Sequence, residues 1–331
     1  MIPLKKVIID TYGADLGTTP IIKGAFAAAE QFEELGVVFI GNREDVEKHG
    51  KIGGKIEIIE TDDYITNHEN PSVIFGGRDN CSVALGYKYL KENDDAIGFL
   101  SAGNTGGLLI GSICRLGLFK SIKTPALASL IPALNGRRVC LVDSGANIEC
   151  TAKDLLKFGA MGKALQESVY PEHTAKVALL SVGREDSKGN NLTKEAFSLL
   201  KESNLNFIGN VEGSDLISGY CDVVVCDGFA GNILLKNVEA TGLTARGIVE
   251  NTAKENGMSE NAVIKEILEK LTALFDLNTR GGATFLGTKK PVIKMHGCAT
   301  DKTVIACIDQ LISLNNADFV SKISEALLNL N

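Results

Sequence analysis

The chain has 331 residues, 44% of them hydrophobic and 23% charged, which is enough apolar material for a large core and argues against disorder on a large scale. Its formal net charge is -7, from 34 basic and 41 acidic side chains, so nonspecific binding to nucleic acid, which needs a basic field along the phosphates, is disfavoured. An acidic protein partner would have to be met by a local basic patch, against the overall charge.

The first ten residues read as a strand carrying Lys5 and Lys6 rather than as a signal peptide. From there, short β-branched runs predict strands over 6–9, 37–40, 56–59, 96–100, 139–142, 177–182, 206–209 and 222–226. Helical patterns fall between them, over 20–35, 105–118, 152–167 and 193–202. Several strands are apolar at consecutive positions, as strands buried on both faces of a parallel sheet must be. The alternation predicts an α/β fold with a mostly parallel, doubly wound sheet. No internal repeat and no low-complexity tract interrupts it.

After Asn232 the texture becomes helical to about Asp276, broken once at Asn256-Gly257-Met258. Ser259 is the expected N-cap of the second piece, which places Ile264, Ile267, Leu268, Leu271, Leu274 and Phe275 on one face. That face either packs on the protein itself or a dimer partner, or meets a membrane or an acyl chain. A last helix is expected over 302–330. The expectation is a single domain over 1–331 with a helical excursion at about 233–277.

The eight cysteines show neither zinc nor redox spacing, and Cys140 and Cys226 sit in apolar runs as small core residues. In a chain of this length they imply a reducing compartment. No apolar run is long enough to span a bilayer. The expected location is the cytoplasm, with attachment to a membrane surface left open.

The informative residues follow the strands. The loops read Asp10-Thr-Tyr-Gly13-Ala-Asp15, Ser101-Ala-Gly103-Asn104-Thr105-Gly106-Gly107, Asp143-Ser-Gly145-Ala-Asn147, Gly183-Arg-Glu185-Asp-Ser-Lys188-Gly189-Asn190, Gly209-Asn210-Val-Glu212 and Asp227-Gly228-Phe-Ala-Gly231-Asn232. Glycines that let backbone amides approach a ligand, at the openings of helices, make natural anion sites. Ligands in open α/β sheets bind beyond the carboxyl ends of the strands, so six such loops on one rim predict a cleft for phosphate and a polar thioester head. The chain lacks Gly-x-x-x-x-Gly-Lys-Ser/Thr, Gly-x-Gly-x-x-Gly, Gly-x-Ser-x-Gly and His-Glu-x-x-His. Of its four histidines, His49, His68 and His173 lie in polar stretches as ordinary surface residues, and His296 stands apart. The residues alone thus describe an anion-binding α/β enzyme with no metal cage and no evident covalent nucleophile.

Ser101-Ala-Gly-Asn-Thr-Gly, Thr124-Pro-Ala-Leu-Ala, Asp143-x-Gly-Ala-Asn147, Lys188-Gly-Asn190, Asn206-Phe-Ile-Gly-Asn-Val-Glu212, Asp222-Val-Val-Val-Cys-Asp-Gly-Phe-x-Gly-Asn232 and His296-Gly297, in that order, resemble the PlsX-type phosphate acyltransferases. The resemblance implies a three-layer α/β/α fold related to isocitrate and isopropylmalate dehydrogenases and to phosphate acetyltransferase. It implies a cytoplasmic homodimer loosely attached to the membrane, without nucleotide or redox cofactor. Its reaction moves a fatty acyl group from acyl carrier protein to inorganic phosphate, and the acyl phosphate feeds a membrane glycerol-3-phosphate acyltransferase in phospholipid synthesis.

Phosphate is already an anion near neutral pH, so such an enzyme must desolvate and aim it, stabilise an oxyanion and ease departure of a thiolate. Positioning lowers barriers of this kind by roughly 7–11 kcal/mol, and each oxyanion donor by about 3–4 kcal/mol. On the family reading, phosphate and oxyanion contacts fall to Asn104, Thr105 and Gly106, with Asn190 nearby, and to Lys188 and Asn232 as catalytic groups. Asp143, Asn147, Asn210 and Asp227 orient those donors or the pantetheine arm. His296 either protonates the leaving sulfur or serves as a capping or core residue. Basic side chains for carrier-protein docking are Arg115, Lys120 and Lys123 on one side, and Arg280, Lys289, Lys290 and Lys294 on the other.

Three departures stand out. Thr11, Tyr12 and Ala14 replace family residues in the first loop. A basic run followed by Asp-Ser-Ser is replaced by Gly76-Gly-Arg78-Asp79-Asn-Cys81-Ser82, and the Ser-Ser after His-Gly by Cys298-Ala299. The readings that remain beside the family one are a phosphotransacetylase-like enzyme using acyl-coenzyme A, a module that binds carrier protein or acyl groups without turnover, and a pyridine-nucleotide dehydrogenase.

Overall fold

The computed structural model describes residues 4–276 and 281–330. Its strands are β1 (Lys5–Asp10), β2 (Leu35–Gly41), β3 (Ile56–Glu60), β4 (Ala96–Ser101), β5 (Ala126–Pro132), β6 (Arg138–Val142), β7 (Val177–Leu180), β8 (Phe207–Val211), β9 (Val223–Val225), β10 (Ala283–Leu286) and β11 (Val292–Lys294). Its helices are α1 (Thr18–Gln31), α2 (Arg43–Glu47), α3 (Ser82–Glu92), α4 (Thr105–Gly111), α5 (Ala152–Val169), α6 (Asn191–Glu202), α7 (Gly213–Ser218), α8 (Gly228–Glu255), α9 (Ala262–Phe275), α10 (Asp301–Asn316) and α11 (Phe319–Leu328).

The strands form one eleven-stranded sheet in the order β3-β2-β1-β4-β11-β10-β5-β6-β9-β7-β8. Period-two alternation divides consecutive apolar residues between its faces. On one face Val7, Ile9, Val37 and Phe39 pack against α1 and α10, and Cys140, Val142, Val223 and Val225 against α5 and α11. On the other, Ile8, Val38 and Phe99 meet α3, and Val139, Leu141 and Val224 meet α7 and α8. The expected three-layer α/β arrangement is what forms.

Three strands were not legible in the sequence. Ala126–Pro132 is rich in alanine and ends in proline, while Ala283–Leu286 and Val292–Lys294 have four and three residues. They are the central strands, and they change the topology. β11 runs parallel to β4, but β10 is antiparallel to both β11 and β5, and β5 is antiparallel to β6. β1 to β4 therefore end at one edge of the sheet, and β6 to β9 at the opposite edge. The six loops do not share one rim.

They are nevertheless brought close. Leu100, Ile293, Thr284, Ala128 and Val142 lie on one row across the sheet, so β4 and β6 finish within a residue of each other while running in opposite directions. At about 4.8 Å per strand, they are about 19 Å apart.

The helices differ from expectation in detail. The break at Gly257 (φ 65°) holds, but Asn261 rather than Ser259 caps α9, its side chain accepting from Val263 N and Ile264 N. The final helix splits into α10 and α11 at Asp318, whose φ is 51°. Beyond α4, the chain continues through a wide turn, Ser112–Leu116. There the hydroxyls of Tyr87 (2.7 Å) and Ser112 (2.8 Å) both donate to the Leu108 carbonyl and compete with the backbone for it.

Candidate active site

Asp143, fully buried at the end of β6, organises the loop that follows it. Its Oδ1 accepts from the amides of Leu127 (3.2 Å), Gly145 (2.9 Å) and Ala146 (2.8 Å), an Asx-type turn. Its Oδ2 accepts from Asn147 N (2.8 Å) and Asn147 Nδ2 (2.6 Å). Burial pushes this carboxyl up, and the donors around it work against that shift. Asn147 also donates to Pro125 O (2.9 Å), and its carbonyl accepts from Gly228 N (2.7 Å). Asp227 caps α8 through Ala230 N (2.8 Å), and a Cβ at Gly231 would collide with the Asp143 carbonyl. Loops 143–147 and 227–232 are thus one interlocked unit.

At the other edge, Ser101 Oγ donates to Asp10 (2.8 Å) and accepts from Gly103 N (3.0 Å). Burial raises the Asp10 carboxyl to about 6. Gly13 (φ 84°) fits directly against Gly103, where no side chain has room. Asn104 caps α4 by accepting from Gly107 N (3.0 Å) and donates to Thr66 O (3.1 Å). Gly106 packs on Pro71.

Between these units lies a cavity of about 320 Å³. Its floor is the sheet face at Leu127, Ser129, Ala283 and Lys294. Its roof is α8, through Asn232, Leu235, Lys236 and Glu239, and its ends are Thr105, Ser144–Gly145 and Met295–Gly297. Lys294 donates to Ala102 O (2.9 Å) and Met295 O (2.5 Å), which leaves one of its three N–H groups for a ligand. Burial pulls its ammonium down to about 8, with Asp15 and Asp10 opposing and Lys236 assisting.

His296 Nε2 lies 3.2 Å from Glu239 Oε1, and its Nδ1 lies 3.4 Å from Cys298 Sγ. Glu239 also accepts from Lys236 Nζ at 2.7 Å. Burial would raise this carboxyl, but the hydrogen bonds from His296 and Lys236 outweigh it and hold the group below its ordinary value. A second hollow, about 240 Å³, continues past Glu239 and His296 between α8 and α9, lined by Gly242, Leu243, Leu271, Phe275 and Cys298 together with Arg246, Thr272 and Asp276. A larger cavity of about 700 Å³, beside Arg137, Arg138 and Lys270, contains none of the loop residues.

Of the residues expected from sequence, Thr105, Asn232 and His296 line the cavity, and so does Lys294, which had been grouped with the docking lysines. Asn104, Asp143, Asn147 and Asp227 hold the walls. Lys188 is exposed on the loop after β7 and does not line the cavity. Asn190 caps α6 through Thr193 N (2.9 Å), and Asn210 donates to Glu185 O (2.9 Å). Arg115 pairs with Asp79 (2.6 Å). Lys290 donates to Asn93 O (2.7 Å), whereas Lys120, Lys123 and Lys289 are exposed. Arg280 lies outside the described residues. His173 is no plain surface residue, since it pairs with Asp222 at 2.9 Å. Arg78 is taken up by Asp63 and Glu69. Sequence reading passed over Lys236 and Glu239, although Asn232, Lys236 and Glu239 recur at helical spacing.

Residues 5–322 match the family model described as fatty acid synthesis protein. The chain belongs to this family. It is 36% identical to the phosphate acyltransferase of Thermoanaerobacterium thermosaccharolyticum over 97% of this chain and 96% of that one. It is 33% identical to the phosphate acyltransferase of Bacillus cereus, covering 97% and 98%. The resemblance read from the loops is borne out, and as a member of this family the protein is an acyltransferase. Among solved structures, a phosphotransacetylase from Streptococcus pyogenes superposes with a TM-score of 0.62 at 17% identity, over 96% of this chain and 94% of that one. A branched-chain phosphotransacylase from Enterococcus faecalis gives 0.58 at 17% identity, over 93% and 98%. These likenesses establish the fold.

Asp143→Ala would strip a buried acceptor from four backbone amides. It is expected to lower the free energy of unfolding by about 3 kcal/mol or more, read from urea denaturation. An unchanged midpoint would show that the loop holds without its clasp.

Proposed function

We propose that this enzyme transfers a fatty acyl group from acyl carrier protein to inorganic phosphate, releasing acyl phosphate for phospholipid synthesis. The observation that carries the reading is the pairing of a polar cavity, with the Lys294 ammonium in its floor, and an apolar hollow, joined at His296 and Glu239. Phosphate binds against the remaining Lys294 N–H, with Thr105, Asn232 and Lys236 around it. The acyl chain lies between α8 and α9, which brings its thioester carbonyl to the wall between the two spaces.

Held there, phosphate sheds water and faces the carbonyl, and this positioning supplies the larger part of the rate. Lys294 and Lys236 stabilise the charge that develops on the carbonyl oxygen. His296, fixed by Glu239, is placed to protonate the departing pantetheine sulfur. No step calls on a nucleotide or redox cofactor.

Lys120, Lys123 and Lys289 support docking of an acidic carrier protein. They are exposed near the sheet edge where β6 ends, Lys123 two residues before the Pro125 carbonyl that holds Asn147. Leu243, Ile248, Val263 and Ile267 are exposed on α8 and α9, which supports a covering of that hairpin in the cell. A cytoplasmic homodimer in peripheral contact with the membrane and its glycerol-3-phosphate acyltransferase is part of the same proposal. No helix among the described residues is long and apolar enough to cross a membrane. The phosphotransacetylase fold favours one second reading, in which the acyl donor is acyl-coenzyme A.

Phosphate-dependent release of thiol from palmitoyl-acyl carrier protein and from palmitoyl-coenzyme A separates these readings. Release favouring the carrier protein is expected. Preference for coenzyme A would establish the second reading, and no release from either would leave a binding module. Lys294 is charged below about pH 8, so the KM for phosphate should rise as pH increases through that value. Lys294→Ala should raise this KM about tenfold at pH 7 and abolish the rise. A flat profile in the native enzyme would remove Lys294 from the phosphate site. Lys188 is exposed outside the cavity, so Lys188→Ala is expected to leave turnover and the unfolding midpoint in place, and a large loss of turnover at an unchanged midpoint would bring the loop after β7 into the mechanism.

A further inference from the structure

The cysteines of this chain differ sharply in surroundings. Cys140, Cys226 and Cys307 are fully buried, and burial pushes their thiols up, which makes them inert. Cys298 is exposed, lines the apolar hollow, and has an imidazole nitrogen 3.4 Å from its sulfur. That imidazole is held from behind by Glu239, 3.2 Å from Nε2. Thiol, imidazole and carboxylate in sequence are the arrangement that turns a thiol into a nucleophile.

The roles follow from the partners. Glu239 is a carboxylate and accepts only, so the proton on His296 is assigned to Nε2, which leaves Nδ1 as the base facing Sγ. Position matters as much as chemistry. Cys298 stands at the apolar side of the wall, beside Leu243, Leu271 and Phe275, whereas His296 and Glu239 line both spaces. An acyl group on Sγ would have its chain in the hollow and its carbonyl at the wall, open to attack from the polar cavity.

We propose that Cys298 carries the acyl group as a thioester between the acyl donor and phosphate, an inference that rests on the acyl transfer proposed above. In the first half, Sγ–H gives its proton to His296 Nδ1 and Sγ bonds to the carbonyl carbon of the donor thioester. The carbon–sulfur bond to the pantetheine breaks, and the departing sulfur takes the proton from His296. In the second half, an oxygen of hydrogen phosphate bonds to the same carbon and the bond to Cys298 breaks. The phosphate proton passes through His296 to Sγ, which leaves acyl phosphate and the starting thiol.

The test is intact-protein mass spectrometry of the full chain after incubation with palmitoyl-acyl carrier protein in the absence of phosphate. The expected result is one palmitoyl adduct, mapped by peptide analysis to Cys298, released by hydroxylamine and discharged as acyl phosphate when inorganic phosphate is added. Cys298→Ala should form no adduct and turn over about 100-fold more slowly at an unchanged melting temperature, and Cys298→Ser should likewise show no thioester. Normal turnover without an adduct, an adduct at another residue, an adduct that phosphate does not discharge, or wild-type turnover in Cys298→Ala would each overturn the inference and leave direct transfer standing. If the native enzyme formed neither adduct nor acyl phosphate, the proposed function itself would fall with it.

Discussion

The reversal of strand direction between β5 and β6 is the constraint on which the rest of the site depends. β10 is antiparallel to both neighbours and leaves β11 and β5 running the same way, so the antiparallel β5–β6 pair is what sets β6 to β9 against β1 to β4 within one sheet. The start of β10 is secured from α10 by Gln310, which donates to Thr284 Oγ1 (2.9 Å) and Gly282 O (3.2 Å) and accepts from Gly282 N (3.0 Å). Because β4 and β6 then end on adjacent rows, loops from opposite edges face one another across three strands. A sheet with all its strands parallel would have left Thr105 and Ser144 at the same edge, with no floor between them. Here the floor is the sheet, and α8 crosses above it.

Such a space is polar enough to receive an anion. The balance is visible at Lys294. Burial makes its charge costly, and two carbonyls with Asp10 and Asp15 behind them keep it charged near neutral pH. An anion entering the cavity completes the set, so the binding of phosphate and the stability of the ammonium support each other. Glu239 performs the matching task on the roof by fixing His296 and Lys236 at once.

The outer strands and most helices were legible in the sequence because they are long, β-branched or periodic, and so were the capping loops with their glycines. The inner strands were not. Val292–Lys294 is too short to show alternation, and the alanines of Ala126–Pro132 have little strand preference of their own. Missing them hid the antiparallel pairs at the centre of a mostly parallel sheet and put six loops on one rim. The same omission hid Lys294, which as a loop residue resembles a docking lysine and as the last residue of an inner strand becomes the floor of the cavity. Asn104, Asp143, Asn147 and Asp227 were found by residue type. Whether each touches a ligand or holds a wall depends on where its hydrogen bonds go, and spacing along the chain carries no trace of that.

The most direct test is a crystal structure of the enzyme soaked in inorganic phosphate at a concentration that saturates turnover. The account predicts one tetrahedral anion within hydrogen-bonding distance of Lys294 Nζ, between Thr105 and Asn232, with the hollow between α8 and α9 still open. Phosphate bound elsewhere on the protein, with the cavity over β5, β10 and β11 left without it, would contradict it.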